Sequence, residues 1–161
     1  PIQGVIMIDS PIRPPDYDYS THTRSGPIRR IKTYPDKETI LERFRLTPEQ
    51  DCKNKYILDY IAKWSIRESN GGYEWKFDDS LFDKLGFGHM TRSIAFELSC
   101  KLGILYGTKS SMFSNEILNY ARSSAKKGTR IIPIEDAAHH IPLDQPVQLV
   151  QEILRMIDKW K

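Results

Sequence analysis

Three short apolar runs limit what this chain can fold into: Gly4-Val5-Ile6-Met7-Ile8, Leu102-Gly103-Ile104-Leu105-Tyr106-Gly107 and Arg130-Ile131-Ile132-Pro133-Ile134. None alternates apolar with polar residues, as a strand does when one of its faces meets water. Continuous β-branched and apolar runs of this length are the habit of strands covered on both faces, in a parallel sheet between layers of helix. Pro133 removes a backbone donor, so the third strand is expected to end irregularly or to lie near an edge.

Helical signals separate the later runs. Residues 91–101 precede the second run, and residues 115–127 join it to the third, with Gly128 placed to stop that helix. Asp144 is expected to cap the last helix, with Pro146 in the first turn, where a missing N–H costs little. Val147, Val150, Ile153, Leu154 and Ile157 then recur at helical spacing and predict one apolar face. From residue 91 onward the order is helix, strand, helix, strand, helix, which is the α/β class.

Between the first two strands lies a long insertion, residues 11–88, opened by the turn-rich Pro11, Pro14, Pro15, Asp16 and Asp18. A short helix is expected over residues 36–44 with Asp36 as its cap. A stronger one is expected over 54–68, with Ile57, Tyr60, Ile61 and Trp64 as its apolar stripe and Ser69-Asn70-Gly71-Gly72 as its stop. Tyr73 to Phe77 alternates briefly, and residues 78–85 suit another turn or two of helix. The expected division is a core of residues 1–10 and 89–161 and a helical lid subdomain of residues 11–88. Three strands leave sheet edges and apolar faces uncovered. Either strands within the insertion complete the sheet, or the chain is the second half of a larger fold.

Composition narrows the function classes. Of 161 residues, 28% are charged and the net charge is only +3, with acids and bases interleaved, so no nucleic-acid partner is expected. The short clusters Arg29-Arg30-Ile31-Lys32 and Lys126-Lys127 read as solvated surface. No apolar run approaches the roughly 20 residues of a membrane-spanning helix, so no membrane partner is expected. Cys52 and Cys100 form no CxxC pair; no metal and no cofactor is expected, and a reduced cytoplasmic setting is the simplest reading.

The segment that carries chemistry follows the third strand: Asp136-Ala137-Ala138-His139-His140-Ile141-Pro142-Leu143-Asp144-Gln145-Pro146. A strand ends in a short loop with two histidines, and a helix start follows at once. This places an imidazole at the rim of a parallel sheet, within reach of acid–base work. The competing reading is a surface loop with two incidental histidines. His22 and His89 sit in polar linker contexts and read as structural or exposed.

A strand ending in Asp, a helical insertion, then helix, strand, helix, strand, histidine loop and helix resembles the C-terminal half of the α/β-hydrolase fold. The segment from Asp136 to Pro146 is similar to that family's histidine loop, and the region from Pro14 to Leu85 looks like its helical lid. The resemblance implies about three parallel strands of the hydrolase sheet with flanking helices, plus the lid. It also implies that His139, directly after the small pair Ala137-Ala138, is the general base, and that His140 is a lid or supporting contact.

Such a base needs a carboxylate to hold its tautomer and stabilise the imidazolium. In the family that acid often stands three residues after the glycine of the strand corresponding to Ile104-Leu105-Tyr106-Gly107. Here the position is Ser110, which is not an acid. Some relatives, haloalkane dehalogenases among them, place it after the preceding strand, which points to Asp9. The alternative for Asp9 is that it simply opens the turn at Ser10-Pro11; Glu116 and Asp136 are weaker substitutes. The nucleophile elbow, G-x-S-x-G or its aspartate version, occurs nowhere in the sequence, and neither does an oxyanion-loop motif.

The resemblance therefore implies a hydrolase segment that supplies lid, base and acid for a small apolar ester, amide, epoxide or halide. The nucleophile, of unknown type, would come from a missing N-terminal half of the same fold or from a second chain. Trp64, Tyr60, Trp75 and Phe77 are candidate walls of the lid, against the plainer reading that they pack helices. The other functional expectation is a non-catalytic remnant that keeps the scaffold as an interaction or dimerisation module, with a homo-oligomer as one form of it.

Overall fold

The computed structural model describes residues 1–18, 32–78 and 94–161. In chain order its elements are β1 (Gly4–Ile8), α1 (Lys37–Leu41), α2 (Lys55–Trp64), β2 (Ile66–Ser69) and β3 (Gly72–Trp75). There follow α3 (Ile94–Glu97), β4 (Lys101–Gly107), α4 (Asn115–Ser124), β5 (Arg130–Ile134), α5 (Ile141–Asp144) and α6 (Pro146–Trp160). They gather into two compact units, residues 1–17 with 91–161, and residues 18–90.

In the first unit the three apolar runs form one parallel sheet in the order β1-β4-β5. Gly4 pairs with Lys101 and Ile8 with Leu105; Gly103 pairs with Arg130 and Gly107 with Ile134. Because side chains alternate along a strand, β4 feeds two cores. Leu102, Ile104 and Tyr106 meet Phe96, Phe113, Ile117 and Ala121, while Leu105 meets Ile134, Ala137, Ile141, Leu149 and Met156. Burial on both faces explains why no polar alternation appears in the sequence. Pro133 falls inside β5, opposite Tyr106, and among the described residues the strand pairs only with β4. A strand used on one side tolerates the missing donor, in line with the edge position expected.

Helix α6 departs from its predicted face. Val147, Val150, Leu154 and Ile157 are exposed, by 68%, 53%, 55% and 42%. The buried face is Leu149 and Met156, with Ile153 and Trp160 packed alongside. The helix is apolar on two sides, and the sheet selects between them. A Cβ on Gly103 would overlap the Met156 sulfur, and one on Gly4 would lie 2.7 Å from a Trp160 ring carbon, so two glycines form the seat for this face. Asp144 does not cap α6 either: Gln145 is the cap residue, and Asp144 ends the short α5. Helix α4 stops at Ser124, and Gly128 (φ +96°) serves instead the turn that leads to β5.

The second unit is less helical than expected. The helix predicted over 54–68 ends at Trp64, and Ile66–Ser69 pairs antiparallel with Gly72–Trp75 as a separate hairpin. Asn70-Gly71 makes the connection, with Gly71 at φ +93°. These strands therefore do not extend the parallel sheet. Asp36 caps α1 as expected, its carboxylate accepting from the Thr39 amide at 2.7 Å. Trp75 packs on Phe44, and Tyr60 leans on Trp64, with ring centroids 5.8 and 6.1 Å apart. Tyr60, Trp64 and Phe77 remain exposed. The helix expected over 78–85 lies outside the described residues apart from Asp78, as do His22, His89 and the Arg29–Ile31 part of the basic cluster.

Candidate active site

All three parallel strands run toward one rim, and each delivers a polar group there. Asp9 follows the last residue of β1 with a left-handed φ of +43°, a conformation that aspartate tolerates better than most residues. Its own amide donates to the Leu105 carbonyl at 2.8 Å, so the turn stays tied to β4 while the side chain swings over the strand ends. The carboxylate is 1% exposed. A charged group so deeply buried requires partners, and three donors converge on it. The Gly107 amide donates to Oδ1 at 2.9 Å, the Ser110 hydroxyl to Oδ2 at 2.5 Å, and Nδ1 of His139 lies 2.8 Å from Oδ2.

The histidine loop is built to bring that imidazole in. Asp136, at φ +57°, turns the chain out of β5, and its amide donates to Thr108 Oγ1 at 3.1 Å. Thr108 and Lys109 donate their amides to the carbonyls of Ile134 and Ala137, at 3.0 and 2.9 Å, which stitches the loop to the end of β4. Ala137 is fully buried, and Ala138 donates its amide to Asp144 Oδ2 at 2.8 Å. The backbone carbonyls of Ala137 and Ala138 lie directly on Gly107 and leave no room for a Cβ there.

His139 remains 28% exposed at its side chain. With Asp9 acting as acceptor, Nδ1 carries the proton, and in the neutral imidazole Nε2 is the acceptor. Among the described residues Nε2 has no hydrogen-bond partner. His140 begins α5 and meets the edge of the His139 ring, with centroids 4.9 Å apart and planes at 69°. Asp136 pairs outside the cluster with Lys109 at 2.7 Å, and this hydrogen bond and charge hold the ammonium above the usual lysine range. Glu116 lies in the first turn of α4. Of the candidate acids, Asp9 is the one bonded to His139.

Sequence reasoning missed two features. Ser110 stands where an acid was expected and instead donates to the acid, and Asp144, read as a helix cap, holds the loop through Ala138. The signal for Ser110 was its position, three residues past Gly107; the Asp144 contact spans a loop whose path no local pattern fixes.

No family model matches the sequence, and no curated protein matches it. Solved structures do. The chain is similar to the thioesterase domain from the curacin biosynthetic pathway (17% identity, TM-score 0.65, covering 95% of this chain and 58% of that one). It is similar also to E-2-(acetamidomethylene)succinate hydrolase (13% identity, TM-score 0.76, covering 98% and 58%). A thermophilic esterase from Thermogutta terrifontis matches at 20% identity and TM-score 0.56, over 98% of this chain and 56% of that one. The chain thus has the α/β-hydrolase fold, its three-stranded parallel sheet and flanking helices matching those neighbours. It spans under three-fifths of the length of these neighbours.

Proposed function

We propose that this chain provides the acid–base half of an α/β-hydrolase active site, with His139 as general base and Asp9 as its orienting acid. The observation that carries the reading is the 2.8 Å contact between His139 Nδ1 and a buried carboxylate, on a side chain that is itself 28% exposed. An imidazole so held takes a proton from a hydroxyl or a water and returns it to a leaving group, while Asp9 stabilises the imidazolium. The nucleophile and the oxyanion donors, which contribute the largest share of such catalysis, come from polypeptide outside these 161 residues. Among the described residues one side of β1 has no paired strand, and it offers a place for the next strand of the sheet. Substrates of this reading are small apolar esters and amides, with epoxides and halides if the nucleophile is a carboxylate. The unit of residues 18–90 serves as lid.

The test compares histidine variants in the hydrolase assembled from this chain and its nucleophile-bearing partner segment. His139→Ala is expected to lower kcat on a short-chain aryl ester by roughly a thousandfold or more, and His140→Ala by only a few-fold. Equal losses would assign the wrong histidine. The 161-residue chain alone is expected to resist a fluorophosphonate serine probe; labelling of a specific serine would overturn the account of an external nucleophile.

A second reading, a non-catalytic interaction or dimerisation module, draws support from the exposed stripe Val147, Val150, Leu154 and Ile157. It predicts concentration-dependent self-association of the chain, abolished by Val150→Glu with Leu154→Glu, and no hydrolysis in any assembly.

A further inference from the structure

We propose that Ser110 is a positioning residue, which locks the Asp9 carboxylate in the plane that fixes the His139 tautomer. This rests on the reading of Asp9 and His139 as a working pair. Ser110 is 8% exposed, in the turn just past β4, where its amide donates to the Gly107 carbonyl at 3.0 Å. Its Oγ accepts the Met112 amide at 3.1 Å. A hydroxyl has one proton to give. With Met112 donating to one side of the oxygen, that proton is directed at Asp9 Oδ2, 2.5 Å away.

The consequence lies in how the carboxylate is held. Oδ1 is pinned by the Gly107 amide and Oδ2 by the Ser110 hydroxyl, so rotation about Cβ–Cγ breaks at least one bond of a carboxylate that is only 1% exposed. Both pins come from the end of β4, whereas the acid belongs to β1 and the base to the loop after β5. The carboxylate plane is therefore set before His139 engages it. With only the histidine as partner, Asp9 could swing or exchange oxygens, and the proton could move to Nε2, which leaves the ring unable to accept there. Ser110 supplies the second of the two pins that hold the carboxylate plane.

The test is nuclear magnetic resonance of the full chain with 15N-labelled histidine, which needs no substrate. In the unmodified chain the Ser110 hydroxyl is expected as a slowly exchanging proton with a cross-peak to the His139 Nδ1 proton; its absence would overturn the proposal without any variant. Ser110→Ala is expected to speed exchange of the Nδ1 proton by roughly tenfold or more, the scale of one lost hydrogen bond to a charged group, and to populate the Nε2–H tautomer. Ser110→Thr, which keeps the hydroxyl, is expected to restore the original spectrum. If Ser110→Ala, folded by its amide spectrum, keeps the His139 signals of the unmodified chain, Ser110 does not position the acid. If Asp9→Asn also leaves His139 unchanged, the Asp9–His139 pair itself fails, a separate outcome.

Discussion

Gly107 and Ala138 touch where no side chain fits: a Cβ on Gly107 would stand 2.6 Å from the Ala138 carbonyl oxygen and would overlap that of Ala137. Both obstacles are backbone of the histidine loop, so neither can rotate away. Gly107→Ala is expected to displace the loop and to cost about 1–3 kcal/mol, the usual penalty of overpacking. The check is a urea midpoint together with the His139 ring resonances. An unshifted midpoint and unshifted ring signals would mean that the loop yields freely at this point.

Asp144 secures the same loop from its far side by accepting the Ala138 amide. Asp144→Ala is expected to cost about 1 kcal/mol, because water reaches a half-buried amide and limits the loss. Its sharper mark is local: amide exchange should quicken at residues 136–140 and not in β4. Asp144→Asn keeps a carbonyl oxygen and should restore protection. An Asn variant that exchanges as fast as the Ala variant would show that the acceptor is not what holds the loop.

Much of this arrangement was legible in the sequence, and what was not has a common cause. β1, β4 and β5 stand out because burial on two faces leaves unbroken apolar runs, a local signal. The pairing of Asp9 with His139 was implied by the resemblance, through relatives that place the acid after the strand corresponding to β1. The identity of the third group was not, since the link from Ser110 to Asp9 spans 101 residues and depends on where a turn aims one hydroxyl. The helix over 54–68 failed for a related reason: Ile66 to Ser69 has no strong preference of its own and takes its strand form from Gly72 to Trp75.

Acid conditions should weaken the cap of α1. Hydrogen bonds from the Thr39 amide and hydroxyl hold the Asp36 carboxyl below its ordinary range. A folded value below the unfolded one means the cap is at full strength above the ordinary aspartate range and is lost as pH falls through the lower folded value. The Thr39 amide resonance is expected to titrate there, and Asp36→Asn, which still accepts a hydrogen bond, to remove the titration while keeping the helix. A Thr39 amide that is insensitive to pH down to 2 would contradict the cap's dependence on charge.

Helix α6 offers a test of which face the sheet chose, because its two apolar stripes make opposite predictions. Met156 is fully buried over Gly103, so Met156→Ala leaves a cavity against β4 and is expected to cost about 2–5 kcal/mol. Leu154 is 55% exposed, and Leu154→Ala is expected to fall within about 0.5 kcal/mol. Urea unfolding of both variants at low protein concentration isolates the fold from any association. If the order were reversed, the helix would sit rotated on the sheet, with the stripe of Val147, Val150, Leu154 and Ile157 turned inward. The same pair of variants at high concentration separates packing from docking. Leu154→Ala should then weaken any partner or self-association through the exposed stripe, and Met156→Ala should weaken it only as far as it unfolds the chain.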